Sequence, residues 1–205
     1  MEWESRSEER RIKEKRLDTD IKLSGEAAFE TSELVKSLAN SVIPNEKFHF
    51  ELRWGTSGIL TVYLVGIMDE DALYDEIKEQ TGPLCFNFKE VISINSIAIR
   101  NWVNFVNELK SMRIFYEECP PLIVRQMNMV PSFKGHAEVR SVQLNYACDK
   151  CDHEELFTFD GNGKGMATGQ ISESQLPPEK TCENCKKGQL EFDESVEEYF
   201  AFLEP

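Results

Sequence analysis

Four of the six cysteines form two closely spaced pairs that could bind a metal ion. Cys148 and Cys151 form the first pair, Cys182 and Cys185 form the second, and 30 residues separate the two pairs. Two cysteines with two residues between them can place both sulfurs on one side of a tight turn. Two such turns complete the tetrahedral site that structural zinc prefers. We therefore predict that these four thiolates bind one Zn²⁺ ion.

The residues around the two pairs are typical of a zinc ribbon. Strand-like segments follow the first pair at 156–159 and the second at 189–192, and Gly188 is expected to give the second turn a permissive backbone. Four thiolates leave no coordination position for water, so the zinc is predicted to be structural and not catalytic. His153 follows the first pair, and we interpret it as a flanking polar residue and not as a ligand.

The remaining candidate residues give weaker signals. Cys85 and Cys119 stand alone in apolar segments and are interpreted as small buried side chains. The Gly-rich segment 160–169 lacks the order of a phosphate-binding loop and is interpreted as a flexible insertion. His49 and His136 are isolated, with no nucleophile–base–acid constellation around them, so the chain is not expected to be an enzyme. The acidic and aromatic tail after residue 192 is either a packed terminal helix or a docking peptide.

Charge and hydropathy limit the classes of partner. The 205-residue chain has a net charge of -14, and residues 148–205, with 14 acidic and 5 basic side chains, contribute -9 of it. Such a surface repels phosphate backbones, so nucleic acid is not the expected partner. No segment approaches the roughly 20 apolar residues that span a bilayer, and the charged N-terminus does not resemble a secretory signal. We expect a cytoplasmic protein that does not bind membranes.

Hydrophobic periodicity predicts strands that alternate with helices, which indicates an α/β fold with a mixed sheet. Strands are predicted at 48–52, 59–67, 84–88, 113–118 and 138–147, and helices at 26–42, 69–80, 99–109 and from Pro120 onward. The strand at 138–147 leads directly into the first cysteine pair without a Pro/Gly linker. We therefore expect the zinc module to be attached firmly to the sheet.

Between about residues 46 and 135 the order of elements resembles a STAS domain, the fold of bacterial anti-sigma factor antagonists and of sulfate-transporter cytoplasmic domains. The matching positions are Gly66 at the end of the long second strand, Phe86–Phe88, Ile94–Ile99 and Pro120–Leu122. The chain then divides into a charged and helical N-terminal extension (1–45), a STAS-like domain (46–137) and a zinc ribbon with an acidic tail (138–205).

The resemblance implies a non-enzymatic protein–protein interaction in bacterial signalling. The serine that the family phosphorylates corresponds to Ser96, and the implied partner surface comprises Asn95, Ser96, Ile97 and Arg100. The implied partner is a protein such as a serine kinase. Asn95 and Ala98 stand where the family has Asp and Gly, and Ala98 is expected to place a methyl group where the kinase approaches. We therefore predict constitutive binding without a phosphorylation switch.

Three alternatives remain open at this stage. Asn95 or Ser96 could simply cap the helix that follows, because both residue types accept hydrogen bonds from first-turn amides. The chain could be a nucleic-acid-binding or transcription-associated zinc ribbon. It could also be a phosphorylation-switched anti-sigma factor antagonist that acts through Ser96.

Overall fold

The computed structural model describes residues 47–55, 58–161, 166 and 171–204. The predicted N-terminal extension, with its helix at 26–42, lies outside the described residues, as does most of the Gly-rich segment 160–169. Within the described part of the chain, no helix combines the length and the apolar character needed to span a bilayer.

In the part of the chain that the structure describes, five strands form the first sheet, which is mixed as predicted. They are β1 (His49–Trp54), β2 (Leu60–Met68), β3 (Leu84–Ile94), β4 (Ile114–Glu117) and β5 (Glu138–Val139). Their spatial order is the same as their order in the chain. β1 pairs with β2 in antiparallel fashion, and all later pairs are parallel. The parallel pairs require crossover connections, and helices supply these.

Four helices lie between the strands of this sheet. They are α1 (Asp75–Lys78), α2 (Ser96–Glu108), α3 (Pro121–Met129) and α4 (Pro131–Lys134). The helix predicted at 69–80 is shorter than expected, because the chain turns at residues 70 and 71 and is not helical before Asp75. The carboxylate of Asp69 accepts a hydrogen bond from the Asp71 N–H at 3.0 Å, and such local bonds compete with the helical ladder.

The core beneath this sheet is rich in aromatic side chains. Trp102 on α2 is fully buried and packs edge-on against Phe86 and Phe88 of β3, with ring centroids 5.1 and 5.3 Å apart. Its indole N–H donates to the Tyr116 hydroxyl at 3.0 Å, and that hydroxyl donates to the Phe133 carbonyl at 3.0 Å. The Trp102 indole N–H and the Tyr116 hydroxyl, both buried, are therefore hydrogen-bonded, as burial requires.

The two isolated cysteines are buried in this part of the protein. Cys85 is 1% exposed and Cys119 is fully buried. Burial raises the pKa of both thiols well above the usual range, so both remain protonated and unreactive. The prediction that they are small buried side chains is confirmed.

The single strand predicted at 138–147 is wrong, because the chain changes sheet within it. β5 ends at Val139, and β6 (Val142–Cys148) belongs to a second sheet. The connection is held at Ser141, whose hydroxyl accepts the Glu118 N–H at 2.8 Å and whose carbonyl accepts the Cys119 N–H at 3.2 Å. Only two residues lie between the two sheets, and these long-range bonds hold Ser141, the second of them, in place.

The second sheet, called the C-terminal sheet below, has four antiparallel strands. They are β6, β7 (Glu154–Phe159), β8 (Lys180–Thr181) and β9 (Gln189–Phe192), in the spatial order β7-β6-β9-β8. A short helix α5 (Val196–Tyr199) and a 3₁₀ turn (Ala201–Leu203) follow β9. The side chains of Tyr199, Phe200, Phe202 and Leu203 are buried, so the aromatic tail is packed, as one of its two interpretations required.

Candidate metal centre

The four paired cysteines converge on one point. Their sulfurs all lie within 4.8 Å of one another, with 3.7 Å between Cys148 and Cys185 and 3.7 Å between Cys151 and Cys182. A tetrahedron with zinc–sulfur distances of about 2.3 Å has edges of about 3.8 Å. A disulfide would require about 2.05 Å, and all four thiols are free. The donor set and its spacing therefore fit a four-thiolate metal ion.

The backbone folds in the same way around each pair. The N–H of Asp152 donates to the Cys148 carbonyl at 3.3 Å, and the N–H of Lys186 donates to the Cys182 carbonyl at 2.9 Å. Asp152 and Lys186 each follow the second cysteine of a pair, and both have left-handed φ angles, 53° and 57°. This conformation is unusual for residues other than glycine, so each turn stores a small strain that the surrounding contacts must offset.

Strand pairing places the two turns side by side. Cys148 donates its N–H to the His153 carbonyl, and Cys182 donates its N–H to the Gly188 carbonyl, each at 2.9 Å. β6 and β9 are antiparallel neighbours, with Cys148 opposite Leu190. Cys148 is therefore fixed next to β9, the strand that follows the second cysteine pair.

Gly188 is needed at this centre because no side chain fits there. A Cβ atom at this position would lie 2.5 Å from the Cys148 sulfur and 2.5 Å from a carboxylate oxygen of Asp149. Its φ angle is not in the left-handed region. The prediction that Gly188 supplies a permissive backbone is therefore wrong, because steric room and not conformational freedom is what the position requires.

Several N–H groups point at the sulfurs. The N–H of Gly188 donates to Cys185 at 3.3 Å, and the N–H of Lys150 donates to Cys148 at 3.5 Å. The backbone N–H groups of Lys187 and Gly188 lower the pKa of Cys185 to about 6, whereas burial raises the pKa of Cys148 to about 12. Hydrogen bonds to a thiolate favour the charged form that a metal requires.

The metal centre has no fifth ligand among the described residues. Cys148 and Cys182 are buried and the other two cysteines are half-buried. His153 turns its ring toward Glu155, with 3.5 Å between Nε2 and the carboxylate oxygen, and it is not part of the cysteine cluster. Four thiolates would complete the tetrahedral shell of an ion held here.

The second candidate site lies at the start of α2, and Asn95 is its helix cap. The side-chain oxygen of Asn95 accepts the N–H groups of Ile97 at 3.0 Å and Ala98 at 2.9 Å. Its amide nitrogen donates to the carboxylate of Glu70 at 2.9 Å. The alternative that Ser96 caps the helix is therefore wrong, because Ser96 is the first helical residue.

The residues of the predicted partner surface at α2 are exposed, but the expectation for the neighbouring Ala98 is wrong. Asn95, Ser96, Ile97 and Arg100 are all exposed, and half of the Ile97 side chain is accessible. Ala98, in contrast, is fully buried against the core. The expectation that its methyl group would meet a kinase is therefore wrong.

Sequence reasoning missed the residues that surround this surface. Glu70 precedes Asn95 by 25 positions, and no local pattern connects the two. Leu73, which is 69% exposed, lies in the same turn region between β2 and α1. Leu73 falls within the helix predicted at 69–80, which begins only at Asp75.

Comparison with known proteins adds no assignment. No protein-family model matches the chain, and no curated protein matches it. The function is therefore inferred from the two sites themselves.

Proposed function

We propose that this chain is a STAS-like protein–protein interaction module of bacterial signalling, without enzymatic activity, in which a zinc ribbon serves as a structural element. The strand order of the mixed sheet, with an antiparallel first pair followed by parallel pairs, supports the STAS-like assignment. So does the position of α2, which begins directly after β3 at Asn95. The free thiols fit a reducing, cytoplasmic location.

The observation that carries the proposal is the exposed apolar surface at the start of α2. Ile97 and Leu73 are 50% and 69% exposed, and the hydrogen bond from Asn95 to Glu70 joins the two segments that carry them. Exposed apolar side chains grouped with polar ones are typical of surfaces that bind another protein. Arg100, one turn further along α2, adds a cation to the same surface.

The environment of Ser96 favours binding without a phosphorylation switch. The side chain of Asn95 already occupies the N–H groups of Ile97 and Ala98 that could bind a phosphate. The backbone N–H of Glu70 and the Asn95 amide lower the pKa of the Glu70 carboxyl, which is therefore charged. A phosphate would bring roughly -1.5 to -2 charges to the neighbourhood of that carboxylate, so phosphorylation is disfavoured here.

The proposed zinc ion has a structural role. The four sulfurs have the spacing of a tetrahedral thiolate site, and small modules of this kind obtain much of their folding free energy from the metal. The bound ion would draw β6 and β9 together at Cys148 and Leu190. It would supply no catalysis, because four thiolates close its coordination shell.

Nucleic-acid binding is less well supported by the surface. A groove of about 810 Å³ beside the C-terminal sheet is lined by four glutamates, Glu173, Glu194, Glu197 and Glu204. Its negative charge would repel a phosphate backbone. Nucleophilic catalysis is also less well supported, because His49 and His136 contact backbone carbonyls and His153 contacts Glu155, and none of these contacts activates a serine or cysteine among the described residues.

Affinity capture from the protein's own cytosol tests the proposal. We expect the wild-type chain to retain a protein partner that the variant Ile97→Asp loses. Leu156→Asp is the matched control, because Leu156 is 57% exposed on β7 of the C-terminal sheet and its variant should retain the partner. Equal capture by all three proteins would refute the assignment of the surface.

Phosphorylation is tested on the same material. Mass spectrometry should find no substantial phosphate on Ser96, and Ser96→Asp should retain the partner. Phosphate on Ser96 together with loss of the partner in Ser96→Asp would restore the phosphorylation switch in place of constitutive binding.

A further inference from the structure

A segment at the end of the described chain connects the C-terminal sheet back to the helices of the first sheet. Residues 194–203, called the C-terminal strap below, directly follow β9 and contain α5 and the last 3₁₀ turn. Four of its side chains are buried, and α5 and the turn both contact α3. The strap therefore contacts the C-terminal sheet at one end and α3 at the other.

One side chain on α3 holds most of the strap's backbone contacts. The amide nitrogen of Asn128 donates to the carbonyls of Glu198 at 2.9 Å and Tyr199 at 3.1 Å. Its oxygen accepts the N–H of Phe202 at 2.8 Å. Asn128 thus satisfies three strap backbone groups that would otherwise need water or another partner.

Two cations near Asn128 complete the attachment to the α/β domain. Lys134 donates from Nζ to the Phe202 carbonyl at 2.8 Å, and Arg125 forms an ion pair with Glu194 at 3.1 Å. The Arg125 side chain is well exposed, so its ion pair contributes little to stability. The attachment depends mainly on Asn128, Lys134 and the buried aromatic rings.

The other attachment of the strap is to the C-terminal sheet. The Tyr199 hydroxyl donates to the Gln143 carbonyl on β6, and the Tyr199 ring packs edge-on against Phe192 of β9 at 5.2 Å. The Asp193 N–H, just before the strap, donates to the Asn145 carbonyl at 3.2 Å. The position of Tyr199 therefore depends on β6 and β9 remaining paired.

The pairing of β6 and β9 depends in turn on the cysteines. The two strands share only three residue pairs, and the pair at one end of the ladder joins Cys148 to Leu190. β8, on the other side of β9, has only two residues. β6 packs into the core through Val142, Leu144 and Tyr146, whereas Leu190 is the only buried side chain of β9. Metal binding is therefore expected to contribute much of what holds β9 in place.

We propose that the C-terminal strap is a metal-dependent clasp. Zinc on the four cysteines holds β9 against β6, and β9 holds the strap on α3. Loss of the metal releases the strap and uncovers the face of α3 next to Met129, which is already 75% exposed. The inference rests on the proposed zinc site and extends it. It links the occupancy of the metal site to the exposure of α3, a helix that follows the first sheet's β4.

Hydrogen–deuterium exchange of the full chain, with and without chelation of zinc, tests the clasp. Removal of the metal should lower the protection of strap amides by about tenfold or more and leave β2 and β3 changed less than about twofold, because local opening and global unfolding have separate free energies. Strap amides that stay protected in the metal-free protein would refute the proposal. Equal loss of protection in β2 would refute it too, because zinc would then support the whole fold.

A variant that leaves the cysteines intact tests the same coupling in the opposite direction. If zinc holds the strap, the strap must strengthen zinc binding by the same factor, since coupling free energies are reciprocal. We therefore expect Asn128→Ala to lower both the protection of the strap and the affinity for zinc, measured by competition with a chromogenic chelator. The exposed Asn104 on α2 gives the control, because Asn104→Ala should change neither quantity.

The outcomes separate this inference from the metal site on which it rests. A strap loosened by Asn128→Ala with unchanged zinc affinity would refute the clasp and leave the metal site intact. Protein purified under native conditions that contains no metal, with all four thiols free, would refute the zinc site and the clasp together.

Discussion

The two sheets of this protein are stabilised in different ways. The first sheet has strands of up to 11 residues and covers a core in which Trp102, Phe86 and Tyr116 pack against one another. The C-terminal sheet has strands of seven residues or fewer, and two cysteine pairs meet at one end. Buried apolar area grows with the size of a domain. The larger sheet can therefore depend on its core, whereas β9 of the smaller sheet buries only Leu190, so we expect the proposed metal ion to contribute more there.

The largest expected effect is the loss of a metal ligand. Cys182→Ser should reduce bound zinc from one ion per chain to nearly none, because the site would keep only three thiolates, and should loosen residues 148–204. Elemental analysis and hydrogen exchange of that segment measure the two effects. Cys85→Ala is the control, because Cys85 is buried in the first sheet and should leave the zinc content unchanged.

The second effect concerns the core of the first sheet. Trp102→Ala should lower the free energy of unfolding by about 3–5 kcal/mol, as for other large buried aromatic residues. Urea denaturation gives this value, and Trp54→Ala, at a position that is 64% exposed, should cost far less. Zinc content should remain at one ion per chain under native conditions. A loss of zinc in Trp102→Ala before the first sheet unfolds would show that the two sheets are not stabilised separately.

A smaller effect is expected at the glycine beside the metal. Gly188→Ala would place a Cβ 2.5 Å from the Cys148 sulfur, and the resulting shift should cost about 1–3 kcal/mol in zinc binding. Lys186→Gly is an informative comparison, because its φ of 57° suits glycine. That variant should bind zinc at least as well as the wild type. Competition with a chelator measures both, and equal affinities for Gly188→Ala and the wild type would contradict the steric argument.

The smallest expected effect is at the cap of α2. Asn95→Ala should lower the free energy of unfolding by about 1 kcal/mol, whereas Ser96→Ala should change it by only a few tenths, because Asn95 alone accepts the first-turn N–H groups. Chemical denaturation measures both values, and zinc content should be unaffected. The reverse ranking of the two variants would mean that Ser96 is the cap in solution.

The two sheets also differ in how well local sequence patterns predict their strands. The strands β1, β2 and β4 and the helices α2 and α3 follow from hydrophobic periodicity and from proline at a helix start. β3 runs six residues past its predicted end at residue 88. The division of 138–147 between two sheets does not, because it depends on bonds from Ser141 to Glu118 and Cys119, more than 20 positions earlier. The short α1 differs from its prediction because Asp69 stabilises turns in place of a helix.

The same distinction applies to the candidate sites. The sequence by itself determined the four cysteines, because the spacing of each pair fixes the geometry of its turn locally. It also determined that a helix begins at Asn95 or Ser96, because both types suit a cap. Only the tertiary structure decided that Asn95 is the cap, that Gly188 lies against the Cys148 sulfur, and that Asn128 holds the C-terminal strap. Each of these depends on a contact between segments that are distant in the chain, and no local spacing encodes such a contact.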